Sequence, residues 1–283
     1  MAVTQVSDLN SLFNTIYERA LFVARENNLM AGLVDNRNAT GWMNRVVPIR
    51  PAITAVTVAE TEDFNSPTTF GKSTKATLTP AEAIAQVVLT DRDMETDPDS
   101  AVNDATMEMG MAIATKVDVD LLTLFASFTT TKGDGAGNTA TLENIAAAVA
   151  VLGANKARQY GRVNVVLHPY HWHDIWLELG KPSTNFPASM VANQALQDYF
   201  VSNMLAADWY TSANIAIDSS TDAVSGLFTR PALMLDTRRA PRLEPERDAS
   251  ARAYELNITA GYAVGIVRQE FGVGFTADAT EPA

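Results

Sequence analysis

The chain has 283 residues, 47% of them hydrophobic, no cysteine and a formal net charge of −12. That length furnishes one large domain or two closely joined ones with a substantial core. The lack of cysteine excludes disulfide stapling and thiolate chemistry, and it suits a reducing compartment. No apolar run reaches the ~18 residues needed to cross a bilayer, and an acidic chain repels polyanions, so neither a membrane partner nor tight nucleic-acid binding is expected.

In chain order, residues 7–30 place Leu9, Phe13, Ile16, Ala20 and Val23 three or four apart, which predicts an amphipathic helix. Turn-forming LVDNRNATG at 33–41 ends it. Residues 45–64 (RVVPIRPAITAVTVAETEDF) are rich in β-branched side chains, and Pro48 and Pro51 confine any strand there to an edge or an arm. A polar, threonine-rich piece follows at 65–80, and AIAQVVLT at 83–90 returns as a strand. Two extended stretches around a polar tip predict a projecting β-hairpin, too poor in apolar content to be stable alone.

An acidic turn then leads into a long helix over about 100–128, announced by Asp97-Pro98-Asp99-Ser100. Val102, Ala105, Met109, Ile113, Val117, Leu121, Leu124 and Phe128 form one apolar stripe, with Asp104, Glu108, Thr115 and Asp118 mainly opposite. Such a rod is about 40 Å long. Between residues 81 and 120 ten carboxylates face only Arg92 and Lys116, so this segment holds −8 of the net charge.

Beyond it come a Gly-rich loop (TTTKGDGAGNT, 129–139), an alanine-rich helix at 141–157, and a buried strand stopped at Pro169 and followed by a short helix ending at Gly180. A further helix is expected at 193–205, short strands around 214–220 and 226–238, and extended structure through 251–275 interrupted by Gly261, Gly265, Gly272 and Gly274. Helices and strands mix without a βαβ rhythm, so the class is α+β.

Candidate chemistry is sparse. All three histidines, His168, His171 and His173, lie within six residues. Their spacing turns them in different directions on a helix, which favours an aromatic packing corner over a metal site; a metal-dependent enzyme using the three is the alternative. The Gly-rich loop lacks the Gly-Lys-Ser/Thr ending of a phosphate cradle, and no Gly-x-Ser-x-Gly elbow exists. No catalytic, cofactor or metal set is therefore expected. Arg238, Arg239, Arg242, Arg247 and Arg252 are interleaved with Asp236, Glu244, Glu246 and Asp248, a pattern that suits ion pairs between neighbouring surfaces.

Taken together, GWMNRVVP at 41–48, the run of strand, acidic turn and long helix at 82–122, NVVLHPYHWHDIW at 164–176 and the closing strands at 240–275 resemble the major capsid protein fold of tailed bacteriophages, the HK97 fold. The resemblance implies an N-terminal arm (1–45), an extended loop (46–90), and a peripheral domain (91–145 and 236–283) with a spine helix at about 100–128. An axial domain (146–235) completes the division. It further implies a shell subunit that forms hexamers and pentamers of an icosahedral head around double-stranded DNA, held by enclosure and not by specific binding. Partners implied are copies of itself, a scaffolding protein, a portal protein and a decoration protein; the location is the virion, with assembly in the host cytoplasm. An encapsulin-type compartment shell is the nearest rival. Interface candidates are Phe70, Lys72, Lys75, Arg238, Arg239, Arg242, Arg247, Glu244 and Glu246; Lys72 and Lys75 stand where some relatives place a crosslinking lysine.

Overall fold

A computed structural model describes residues 29–50, 53–60, 63, 71–96, 98–133, 135–180 and 202–282. The expected helix at 7–30 lies outside the described residues except at its end, where Leu29–Leu33 form the short helix α1. Strand β1 (Asp35–Asn38) follows, then β2 (Arg45–Ile49), β3 (Ser73–Leu78) and β4 (Ala81–Thr90). The hairpin exists, but its return strand differs from expectation. β2 pairs with β3 in a two-stranded antiparallel ribbon, and the register slips between Val47 and Pro48, where proline removes a ladder donor. The apolar 83–90 stretch belongs instead to a four-stranded sheet ordered β1-β10-β11-β4, in which β10 is Leu233–Asp248 and β11 is Ala253–Ile266. The weak patterning of STKATL hid the true partner, because the ribbon needs apolar contacts only at its root, where Leu78 and Ala76 pack with Met234, Ala263 and Val267.

The acidic turn is itself a short helix, α2 (Asp91–Thr96), and the rod α3 runs Pro98–Leu122. Proline is well placed in a first helical turn, where its missing N–H would have had no partner. The rod then tightens into a 3₁₀ turn at Thr123–Ser127. Ala105, Met109, Ile113, Val117, Leu121 and Phe128 are buried as the stripe requires; Phe125, not Leu124, completes it, because the step after Leu121 is four residues. The stripe serves two cores. Ala105, Met109 and Ile113 pack with Leu89, Leu256, Ile258 and Ala260 under the four-stranded sheet. Val117, Leu121, Leu122, Phe125 and Phe128 enter the larger core of the second body.

That second body centres on a six-stranded mixed sheet, order β5-β12-β9-β6-β8-β7. Its strands are β5 (Thr131–Lys132), β6 (Val163–Leu167), β7 (Asn203–Met204), β8 (Ala207–Thr211), β9 (Asp222–Thr229) and β12 (Gly272–Asp278). Helices α4 (Leu142–Ala154) and α5 (Pro169–Gly180) accompany it. β5 and β12 both hydrogen-bond into this sheet, β12 lying between β5 and β9. Of the helix expected at 193–205, residues 193–201 lie outside the described residues and its end is β7. Pro241 falls where the β10–β11 register slips, and Pro245 sits beyond the stretch of β10 covered by β1 (Met234–Thr237), so neither proline costs an internal hydrogen bond.

The interrupting glycines make room for rings. A Cβ on Gly272 would lie 2.0 Å from the Phe128 ring, and one on Gly226 would lie 2.5 Å from Phe125. The Phe125 and Phe128 rings stack at 6.3 Å, three residues apart on a 3₁₀ turn whose repeat is three. We expect Gly272→Ala to destabilise the unassembled chain by about 1–3 kcal/mol through overpacking. Denaturant unfolding checks this, and Phe128→Leu in the same chain should recover part of the loss.

Candidate inter-subunit interface

The long sheet sorts the candidate charges by period-two alternation. Ala83, Ala85, Val87 and Leu89 of β4 register with Ala260, Ile258, Leu256 and Tyr254 of β11, and these with Leu243, Pro245 and Arg247 of β10; this face meets α3. The opposite, outer face carries Arg242, Glu244, Glu246 and Asp248 of β10, Glu255 and Asn257 of β11, and Ile84, Gln86 and Val88 of β4. Arg242, Glu244 and Glu246 are exposed there, with Arg242 Nε 3.1 Å from Glu244. Arg247 sits on the inner side and holds Asp91 with two parallel bonds of 2.6 and 2.7 Å while stacking over Tyr254. Hydrogen bonding from Arg247 holds the Asp91 carboxyl below its usual range.

Arg238 and Arg239 are likewise engaged within the chain. Arg239 pairs with Glu82, donates to Thr259 Oγ1 at 3.1 Å and lies over the Trp42 ring. Arg238, nearly buried, sits 2.6 Å from Asp236 and donates to the Gly41 carbonyl at 3.3 Å. Asp236 is fully buried and is gripped from its other side by Arg45 at 2.8 Å, at the root of the β2–β3 ribbon. Arginine suits this buried pairing because its fork satisfies a carboxylate and neighbouring carbonyls together. Arg45 and Arg238 thus bind the ribbon root and the Gly41 turn to β10. Lys72 is exposed just ahead of β3, Lys75 lies in β3, and Phe70 lies outside the described residues.

Sequence reasoning missed one carboxylate outright. Asp118 was expected on the polar side of the rod, yet it is 1% exposed. Its Oδ1 accepts the Met30 backbone N–H at 2.9 Å, and its Oδ2 accepts Asn214 Nδ2 at 3.0 Å. The rod is therefore tied both to the chain ahead of β1 and to the loop before β9. The signal was an aspartate within one turn of Val117 and Leu121, where a solvent-facing residue has no need to stand. Asp120 remains at the edge, accepting from Lys116 and from the Tyr262 hydroxyl at 2.7 Å. Burial, then the hydrogen bond to Asp120, pushes that hydroxyl's pKa up.

The histidine corner packs as expected. The His168 N–H donates to Ser225 Oγ at 3.1 Å, and Ser225 Oγ lies 2.9 Å from His171 Nδ1. His171 Nε2 lies 3.1 Å from the Ala277 carbonyl. Since a carbonyl only accepts, the proton is assigned to Nε2, and the Ser225 hydroxyl donates to Nδ1. His168 Nδ1 accepts the Tyr170 N–H, and His173 stacks on Trp176. Both His171 nitrogens are thus spent on the protein, and among the described residues no His, Asp or Glu group converges as a metal site. The Gly-rich loop is docked instead of loose: the Gly137 N–H donates to Asp222 at 2.7 Å, and a Cβ on Gly133 would strike the Thr276 carbonyl.

Two tests follow from these buried groups. Burial lowers the His171 pKa from 6.5 to about 4. As pH falls below 6.5 the unfolded chain takes up that proton first, so the stabilisation is full above pH 6.5 and drains away toward pH 4, by at most about 3 kcal/mol. Thermal melts of the unassembled chain from pH 7 to 4.5 should show this slope, flattened in His171→Gln. Asp118→Ala should cost about 1–3 kcal/mol by stranding the Met30 N–H. Asp118→Asn should cost less, since Asn214 can flip its amide to restore the second bond; urea titration of both variants checks the order.

A profile of the phage capsid protein family matches residues 75–274. No curated protein sequence matches the chain. Among solved structures, a chain from Gordonia phage Cozz superposes with TM-score 0.69 at 10% identity, covering 90% of this chain and 87% of that one. The mature capsid of bacteriophage PhiM1 gives 0.67 at 12% identity, with 90% and 88% covered. Mycobacterium phage Che8 gives 0.62 at 18% identity, with 81% and 84% covered. The family match spans the rod, the histidine corner and most of both sheets, and the chain belongs to the phage capsid protein family, a structural protein with the HK97-type fold of major capsid proteins.

Proposed function

We propose that this major capsid protein closes its shell by laying the β2–β3 ribbon and its extended tip over the spine-helix body of a neighbouring copy. The observation that carries this reading is exposed apolar surface at residues 53–60, between β2 and β3. Ile53 and Val56 are each 63% exposed and Val58 is open too, and the described residues 53–60 pair with no strand of the chain. Solvent gives no reason to string β-branched residues along an arm; a neighbour's surface does. Many such contacts, each modest, hold a closed shell by multivalency.

In this reading residues 1–45 act as the arm, 46–90 as the extended loop, 91–145 and 236–283 as the peripheral domain and 146–235 as the axial domain. The copies form hexamers and pentamers enclosing double-stranded DNA without specific binding. The chain has no catalytic role. A scaffolding protein guides assembly in the host cytoplasm, a portal protein occupies one vertex, and a decoration protein and a lysine crosslink through Lys72 or Lys75 are further expectations of the family. An encapsulin-type shell would share the fold and hold a cargo enzyme, and the content of purified particles separates the two.

The test is a triple substitution, Ile53→Asp, Val56→Asp and Val58→Asp. Because these side chains are exposed, the unassembled chain should keep its circular dichroism and lose no more than about 0.5 kcal/mol. Closed particles, counted by negative-stain microscopy in co-expression with the scaffold, should disappear. Wild-type particle yield from this variant overturns the ribbon contact.

A further inference from the structure

Two charged patches of opposite sign face solvent on this molecule. Residues 156–162 (KARQYGR) follow α4, entered through Lys156 at a left-handed φ of 60°. Lys156, Arg158 and Tyr160 are exposed there, and the Arg268 guanidinium lies 5.1 Å from the Tyr160 ring and 4.9 Å from Phe271. Arg162 is held by Asp208 at 3.0 Å. Among the described residues no carboxylate pairs with Lys156, Arg158 or Arg268, in a chain whose net charge is −12. A basic corner capped by a half-exposed tyrosine has the residue types that anchor protein interfaces.

The second patch is the outer face of the long sheet. Glu246 and Glu255 are direct cross-strand partners on that face, with Glu244 one pleat along and exposed Val88 beside Glu255. Like charges placed opposite one another destabilise a ladder. Only Glu255 is partly relieved, by the Gln86 amide at 3.1 Å. The chain's own basic corner cannot help. Arg268 lies beyond the Ile266 end of β11, and Glu255 is eleven residues back along it, about 35 Å at strand rise and several screening lengths away.

We propose that the basic corner of one copy, Lys156, Arg158 and Arg268, seats on the Glu246–Glu255 row of an adjacent copy, with the Tyr160 ring against Val88. The contact joins two different patches, so it is head-to-tail and propagates around a ring of copies until the ring closes. It rests on the shell reading above and adds the pair of surfaces that meet. It also explains why the sheet keeps two opposed carboxylates: the cost in the isolated chain is recovered when a neighbour's cations arrive.

The experiment is a charge exchange in the full chain, co-expressed with its scaffold. Lys156→Glu with Arg158→Glu should lower closed-particle yield at least tenfold, as should Glu246→Lys with Glu255→Lys. The four changes together should restore most of it. Glu246→Gln alone should raise the melting temperature of the unassembled chain by removing the like-charge pair, while lowering particle yield. Each variant's circular dichroism should match the parent, confining the effect to association. Wild-type yield from either pair of changes overturns the inference and leaves the shell reading intact, whereas failure of the parent chain to form particles counts against the shell reading itself. Loss without recovery in the four-fold exchange also overturns it; if Lys156→Glu with Arg158→Glu then lowers retention of duplex DNA, the corner serves the packaged polyanion instead.

Discussion

One apolar stripe on one helix belongs to two hydrophobic cores, and the rest of the molecule is arranged around that fact. The first half of α3 lies under the four-stranded sheet through Ala105, Met109 and Ile113. Its last turn and the 3₁₀ turn that follows, from Val117 to Phe128, help to fill the core beside the six-stranded sheet. Each buried side chain of this size contributes roughly 1.5–3 kcal/mol, so neither core closes without the rod and the two bodies cannot separate without exposing part of it. The Asp118 carboxylate adds direction to this glue. By accepting from Met30 and Asn214 it fixes which turn of the rod faces which loop, something apolar contacts alone leave loosely determined.

Local periodicity made the rod legible, because 3.6-residue spacing is a property of the sequence itself. The same holds for Pro48, which falls at the register slip of the ribbon. What escaped is what depends on partners distant in sequence. STKATL has no amphipathic signature, yet it supplies the return strand of the ribbon. Gly272–Asp278 looks like a continuation of the strands before it but crosses to the other sheet. Steps of three to Leu124 and of four to Phe125 both fit the pattern, and only the close approach of Phe125 to Gly226 and Gly274 decides between them.

The arginines show the same limit from the electrostatic side. Interleaved Arg and Glu along 236–248 suggested outward pairing, and residue type alone cannot say where the partner lies. Alternation along β10 then divides them: Arg247 turns inward to Asp91, while Arg242, Glu244 and Glu246 turn outward. Arg238 and Arg45 neutralise the buried Asp236, a carboxylate that would be very costly to bury unpaired. The chain's acidity is thus partly consumed in internal pairs, and the share left on the outer sheet face is what a neighbour encounters.

The parallel pairing of β1 with β10, from Asp35 opposite Met234 to Asn38 opposite Thr237, has a mechanical corollary. A force transmitted along β1 loads those ladder bonds in shear, so they resist together, where a peeled ribbon would yield one bond at a time. The Asp118 tie meets the same force first and delivers it to the stiff rod, sparing the sheet from bending. Stress arriving through the leading segment is thereby spread over the longest rigid member the subunit possesses.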